Sequence, residues 1–534
     1  MYLPLTPIRC IYRGVDLYGA KVGVVSGERR FTYAEFGERC ERLAYGLRAL
    51  GVRPGDRVAY LSFNNNELLE GYYGPLLIGA IVMPLNVRLT PYELTEILNH
   101  SGARVLIFES EFAPLVEAFR EKCEGIKEYV TIRAASGGEV TQAQLSYEEL
   151  LAKGRIERPD WTTVDETETA ELFYTSGSTG TPKGVMLSHR TLYLHALDVL
   201  TMAFHSDNDV NLHTIPLFHA NGWGAAHTAT MSGQLQVMVR RFEPGIVFRL
   251  IEKERAVRML LVPVMANALL NSAELGQFDT SSVKEILLGG AASSPELLER
   301  LEKAFQCEAK VGYGLTETSP IITSSRMKGT VVVVDEQDRL SRQSMAGWPI
   351  VGAELRVVDW EMKDVPRDGQ TMGEIVVRGD MVMSGYFKEP AATEAVMSAG
   401  WFHTGDMAVW DEETYLQIVD RKKDIIISGG ENISSIEVER AIFAHPAVLE
   451  CAVVAAPDTT WGEIPVAWVV LKLGEAVTTD ELMTFLGKRL GRFKLPRVIH
   501  FSGEPLPKTG TGKILKRELR DSFWKGKSRA VQGG

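Results

Sequence analysis

The sequence predicts an α/β protein, with a large N-terminal domain of parallel α/β subdomains plus a β-rich subdomain, and a smaller α+β C-terminal domain. Three observations carry this. Residues 30–110 alternate apolar strand-like runs with amphipathic stretches, and the rhythm returns from 185 to 310. Such alternation implies βαβ units and a parallel sheet. Residues 345–420 carry shorter strand-like runs punctuated by Gly and Pro, and read as β-rich. Five consecutive charges, Asp420-Arg421-Lys422-Lys423-Asp424, then precede a compact stretch of about 110 residues, an ordinary size for a small domain.

The elements follow from local signals. Thr32 and Glu35 form a capping-box pattern ahead of a helix running to Leu50, with Gly51 as its stop. Arg57–Ser62 reads as a buried strand, Glu67–Val82 as apolar at helical spacing, and Arg104–Glu109 as another strand. Ala353–Val358 and Gly373–Arg378 are expected strands of the β-rich part. Past the charge run, Ser434 and Glu437 cap a helix, Ala452–Ala456 and Val466–Leu471 read as strands, and Thr479–Leu490 as a helix. The expected division is 1–420, a seam at 421–424, and 425–534.

Bulk composition narrows the function. A chain of 534 residues is too long for one core. Its net charge of −11 argues against nucleic acid as the main partner, because phosphate binding needs a basic face. The longest apolar runs, near Pro75–Leu85 and Met259–Leu270, are about a dozen residues each. A membrane span needs about 20, so they read as core. No signal peptide or peroxisomal tripeptide is visible. Cys10, Cys40, Cys123, Cys307 and Cys451 lack C-x-x-C spacing, which suits a reducing cytoplasm.

The chemistry sits in a few short strings. Tyr174-Thr175-Ser176-Gly177-Ser178-Thr179-Gly180-Thr181-Pro182-Lys183-Gly184 combines hydroxyls, glycines and one lysine. Glycines let backbone N–H groups approach an anion, and the hydroxyls and lysine add donors and charge, so the loop suits a polyphosphate. It fails the Walker pattern, since Lys183 stands between Pro182 and Gly184. In Gly312-Tyr313-Gly314-Leu315-Thr316-Glu317, the glycines admit a flat base and Tyr313 can stack on it. Thr316 offers a phosphate donor and Glu317 a hard oxygen for Mg²⁺. Gly289-Gly290-Ala291-Ala292 is a small-residue patch upstream. In Trp401-Phe402-His403-Thr404-Gly405-Asp406, the carboxylate can accept both ribose hydroxyls. In Pro507-Lys508-Thr509-Gly510-Thr511-Gly512-Lys513, a lysine ends a glycine-rich loop and offers a point charge. Each string alone also reads as an ordinary turn.

Together and in this order, with Leu217-Phe218-His219-Ala220-Asn221-Gly222-Trp223 and the run from Asp420 to Ser434, these strings resemble the AMP-forming acyl-CoA synthetases of the adenylate-forming superfamily. The resemblance spans essentially the whole chain. It implies that ATP and a carboxylic acid give an acyl-adenylate and pyrophosphate, and that a thiol, CoA, then displaces AMP.

By the same resemblance, Thr175 and Glu317 are Mg²⁺ partners, and Ser176, Gly177, Ser178, Thr179, Gly180 and Lys183 hold the β- and γ-phosphates. Gly290, Ala291, Gly312 and Tyr313 bound the adenine, and Thr316 meets the α-phosphate. Asp406 and Arg421 clamp the ribose. Lys513 is the adenylation lysine. Lys423 is the hinge about which a mobile C-terminal domain rotates, bringing Gly429 and Gly430 toward the thiol. His219, Ala220, Trp223 and Gly314 line the acid site. Long-chain relatives can carry a tryptophan after G-G-E, where this chain has Asn432, so a short, medium-chain or aryl acid is expected. A long-chain acid, a carrier-protein thiol as acceptor, and a catalytically silent nucleotide sensor are the alternatives. A cytoplasmic monomer or homodimer with no integral membrane segment is expected.

Overall fold

The computed structural model describes residues 3–133, 145–175, 182–202, 206–429, 431–508 and 514–524. The chain divides into two compact units, Met1–Leu355 with Val377–Phe402, and Arg356–Val376 with His403–Gly534. This division follows packing, and the charge run 420–424 lies inside the second unit.

Two sheets build the first unit. Among the described residues one sheet runs Trp348–Pro349, Ile321–Ser324, Glu308–Gly314, Glu285–Leu288, Arg258–Leu261, Val210–His213, Leu235–Met238, Val22–Ser26 and Arg29–Thr32. Its central strands, from Glu308–Gly314 to Val22–Ser26, are parallel. The second sheet runs Gly385–Tyr386, Lys183–Ser188, Thr169–Thr175, Ile81–Pro84, Arg57–Leu61, Val105–Glu109, Glu128–Ile132 and Leu145–Ser146. It is parallel from Thr169–Thr175 onward and antiparallel at its first two pairings. The parallel βαβ architecture is borne out.

The helix Tyr33–Ala49 shows why the local signals worked. Thr32 accepts from the Glu35 amide, and the Glu35 carboxylate accepts from the Thr32 amide. Phe36, Cys40, Leu43, Ala44 and Leu47 then fall on one helical face and are fully buried among Tyr60, Tyr72 and Tyr73. Gly51, just past the end, has φ 80°.

The apolar stretch 67–82 departs from expectation. It forms a short helix Asn66–Gly71, a 3₁₀ turn Leu76–Ile78 and the start of strand Ile81–Pro84. Pro75 cannot donate an amide to a continuing helix, and Gly79 turns the chain at φ 73°. Residues 345–420 are strand-rich, but the strands are shared out. Trp348–Pro349 and Gly385–Tyr386 edge the two large sheets, and Pro390–Val396 is helical.

The second unit carries the paired strands Trp401–Trp410 and Leu416–Arg421, whose register sets Asp406 opposite Arg421. A further sheet orders Glu431–Ile433, Ile426–Ser428, Gly462–Leu471 and Val448–Asp458, with Val498–Ser502 parallel to Gly462–Leu471. Ser434 accepts from the Glu437 amide at 3.0 Å and starts the helix Ser435–Phe443. Val438 and Ile442 on that helix pack with Val453, Val469, Leu482 and Leu486. The helix expected over 479–490 ends at Gly487. Among the described residues, no helix is long and apolar enough to cross a membrane.

Candidate active site

In the first unit Thr175 and Lys183 stand side by side. Thr175 pairs with Lys183 across the antiparallel strands Thr169–Thr175 and Lys183–Ser188. Ser176, Gly177, Ser178, Thr179 and Gly180 lie outside the described residues, as do Gly430 and Lys513. The strand Lys183–Ser188 is edged by residues 384–387, where Ser384 N donates to Met186 O at 2.9 Å and Phe387 N to Gly184 O at 2.7 Å. This edge delivers Tyr386. Its ring centroid lies 4.8 Å from Lys183 Nζ, a cation–π distance. Its hydroxyl donates to Glu317 Oε1 at 2.9 Å. Burial first, and the Glu317 charge second, push the Tyr386 hydroxyl far above its ordinary pKa, so it stays a donor. Glu317 sits in the 3₁₀ turn Thr316–Thr318, held by Met383 N donating to Glu317 O at 2.8 Å.

Next to this group lies a cleft at the carboxyl ends of parallel strands, the place where open α/β sheets bind ligands. Trp223, Gly289, Gly290, Gly312, Tyr313 and Ile321 line it. Glycine is required at one of its turns by close approach. A Cβ at Gly314 would lie 1.5 Å from the Pro320 carbonyl oxygen. The small-residue patch has its own reason: a Cβ at Gly289 would stand 3.0 Å from the Trp223 ring. Ala291 follows, exposed.

The Trp223 ring is presented by unusual backbone. Ala220, Asn221, Gly222, Trp223 and Gly224 all have positive φ, between 41° and 82°. Left-handed backbone costs an L residue about 1–2 kcal/mol, so three such residues need firm support from their surroundings. Asn221 supplies part of it. Its Oδ1 accepts from Gly224 N at 2.7 Å, and its Nδ2 donates to Glu171 Oε2 at 2.8 Å. His219 precedes the turn, its ring 4.7 Å from that of Phe218.

In the second unit, Arg421 Nε meets Asp406 Oδ1 at 2.6 Å, with the carboxylate almost wholly buried and the guanidinium half-exposed. Thr404 donates to Ile375 O and accepts from the Asp406 amide, fixing the turn that carries Asp406. Burial depresses the Lys423 amine pKa. Beside it, Arg520 Nη1 meets Asp424 Oδ1 at 3.1 Å. Gly429, at φ 61°, donates its amide to Trp461 O at 2.8 Å. Lys508 and Ile514, which flank 509–513, form a β-bridge.

Known proteins match this chain over most of its length. Residues 13–387 match the AMP-binding enzyme family, and 437–513 match the AMP-binding enzyme C-terminal domain. The chain belongs to the AMP-binding enzyme family. The resemblance read from the motifs is thereby borne out. The chain is 39% identical to a long-chain-fatty-acid–CoA ligase of Thermus thermophilus, over 96% of this chain and 94% of that one. It is 34% identical to a peroxisomal butyrate–CoA ligase of Arabidopsis thaliana, covering 97% and 93%. Its fold is similar to that of an anthranilate CoA ligase solved with anthranoyl-AMP, with a TM-score of 0.85, 25% identity and 98% coverage of both chains.

Within this AMP-binding enzyme, the structure gathers Lys183 and Glu317 around Tyr386, with Thr316 in the same turn as Glu317, and sets Trp223, Gly290, Gly312, Tyr313 and Gly314 along the first unit's cleft. It also joins Asp406 to Arg421. Sequence reasoning missed Tyr386, which stands 69 positions from Glu317, and it missed Glu171 and His227 behind the Trp223 turn. A tyrosine amid apolar strand residues carries no local sign of such a partner.

Proposed function

We propose that the protein is an AMP-forming acid–CoA ligase that activates a short, medium-chain or aryl carboxylic acid. The observation that carries the reading is the convergence of Lys183, Tyr386 and Glu317 beside a glycine-lined cleft. A cation, a hydroxyl donor and a carboxylate at one place suit a triphosphate. Lys183 draws the β- and γ-phosphates, and the 176–180 segment adds its amides and hydroxyls. The Tyr386 hydroxyl orients Glu317, leaving that carboxylate to act with the Thr175 hydroxyl on Mg²⁺; hard oxygen donors of this kind fit that ion. Held by these two residues, such an ion would supply neutralisation of phosphate charge.

The cleft takes the adenine between Gly290–Ala291 and Gly312–Tyr313, with Thr316 on the α-phosphate and Asp406 and Arg421 on the ribose. The acid lies along His219, Ala220, Trp223 and Gly314. Lys513 then stabilises charge between the carboxylate and the α-phosphate, where such preorganised cations lower the barrier most. Lys423 is the hinge that exchanges Lys513 for the Gly429–Gly430 loop, so that CoA attacks the adenylate and releases AMP. The Trp223 ring closing one side of the cleft favours the smaller acids. A cytoplasmic monomer or homodimer suits this chemistry.

The test is direct. ATP, Mg²⁺, CoA and a panel of acids from acetate to palmitate, with benzoate and anthranilate, are mixed with enzyme, and AMP and CoA thioester are followed together. Equimolar AMP and thioester are expected for short, medium or aryl acids. AMP without a CoA thioester points to a carrier-protein thiol, a preference for palmitate overturns the size assignment, and no acid-dependent AMP release overturns the ligase reading.

A further inference from the structure

The buried network behind the acid pocket has no part in the chemistry above, yet its geometry is directed at one site residue. Glu171 is fully buried in the strand Thr169–Thr175. Its two carboxylate oxygens accept from two side chains of one short segment. Asn221 Nδ2 donates to Oε2 at 2.8 Å, and His227 Nε2 donates to Oε1 at 2.6 Å. Asn221 lies inside the left-handed turn, and His227 lies in the helix Ala225–Ser232 that follows it. Trp223 stands between these two anchors. Tyr73 backs the arrangement, its hydroxyl paired with His227 Nδ1 at 3.2 Å and donating to Ala226 O at 3.1 Å.

The turn is gripped from a second side. A Cβ at Gly224 would lie 2.7 Å from His195 Cε1, and His195 Nε2 accepts from the Ile321 amide at 3.2 Å. Ile321 is itself part of the cleft wall. An ordinary core ion pair would end in apolar packing. Here the output is one partly buried indole facing Gly289 and Gly290.

We propose that Glu171 is a positioning residue for acid recognition: through Asn221 and His227 it holds the left-handed turn that sets Trp223 against Gly289 and Gly290. The indole is then fixed, and with it the depth of the acid pocket. The proposal rests on the acid–CoA ligase reading for its kinetic consequence, though not for its structural one.

Two full-length variants test it. Asn221→Gly removes one of the two anchors, together with the Asn221 bond to the Gly224 amide, while glycine accepts φ 46° without strain, so the fold is expected to persist. Glu171→Gln keeps one acceptor and is expected to fall between wild type and Asn221→Gly. Steady-state kinetics read KM for the acid and for ATP. 5-Fluorotryptophan labelling reads Trp223, its ¹⁹F resonance assigned as the one lost in Trp223→Phe. In Asn221→Gly the acid KM should rise at least tenfold with weakened discrimination among chain lengths, the ATP KM should stay within twofold, and the Trp223 resonance should shift or split. An unmoved resonance overturns the proposal, as does an unchanged acid KM, or an equal rise for ATP and acid. Failure of the ligase reading looks different, because wild type itself would then release no AMP with any acid. In that event the ¹⁹F shift alone decides whether Glu171 holds Trp223.

Discussion

Tyr386 donates its hydroxyl to Glu317 at 2.9 Å, tying a turn between two strands of one large sheet to the edge strand of the other. The same ring carries Lys183 at 4.8 Å, so one aromatic residue contacts both a cation and a carboxylate. Tyr386→Phe keeps the ring and removes the hydroxyl. Acid-dependent ATP–pyrophosphate exchange should fall about tenfold, the size expected for one hydrogen bond to a charged group, and half-saturation by Mg²⁺ should rise. An unchanged Mg²⁺ dependence would show that the hydroxyl does not orient Glu317 for the ion.

The two lysines assigned to the two half-reactions should separate them. Lys513→Ala should lower acyl-adenylate formation by about 100-fold or more, as loss of a preorganised charge does, while thioester formation from supplied adenylate survives. Lys423→Pro should spare adenylation and slow thiolation. Rapid-quench measurement of each half separately is the check, and parallel loss of both halves in either variant would remove that lysine's assignment.

Asp406 and Arg421 are locked together at 2.6 Å, and this geometry leaves the buried carboxylate oriented. Asp406→Ala should raise KM for ATP about 10- to 100-fold, because a charged hydrogen-bond partner contributes about 1.5–3 kcal/mol. KM for the acid should change little. A fall in melting temperature with no change in ATP KM would reduce the pair to a structural role.

Acid should destabilise the first unit through buried imidazoles. Burial lowers His189 to about 4, His195 to about 3 and His213 to about 4. Unfolded histidine titrates near 6.5. Below that pH the unfolded chain binds protons that the native one refuses, so the stability these groups leave intact above pH 6.5 is lost as pH falls through about 4. Urea midpoints should drop steadily from pH 6.5 to 4.5, with up to three protons taken up on unfolding. His213→Gln should reduce that uptake by about one, and a flat profile over this range would contradict the burial of all three.

Much of the fold could be read from short-range signals. Thr32 with Glu35, and Ser434 with Glu437, cap their helices as expected, because a cap is a contact three residues long. The strand Gly373–Arg378 was legible from its apolar run. The stretch 67–82 was not, because its apolar spacing suits a helix that Pro75 and the turn at Gly79 forbid. The site divides the same way. Thr175, Lys183, Glu317 and Asp406 are marked by their strings, whereas Tyr386 and Glu171 act on partners 69 and 50 to 56 positions away. Nor did any local signal announce the left-handed run from Ala220 to Gly224, since only two of its five residues are glycine.

The glycine pair beneath Trp223 bears on how this pocket could be remodelled. A methyl at Gly289 would press on the indole, and Gly290 at φ 75° resists any side chain. Gly314, also on the cleft, is pinned by its contact with the Pro320 carbonyl. Trimming the Trp223 side chain, which also lines the cleft, adds no atom against these backbone contacts. Natural or laboratory selection for bulkier acids should therefore change position 223 before any glycine of the cleft, and the width of the substrate range becomes adjustable through a single codon.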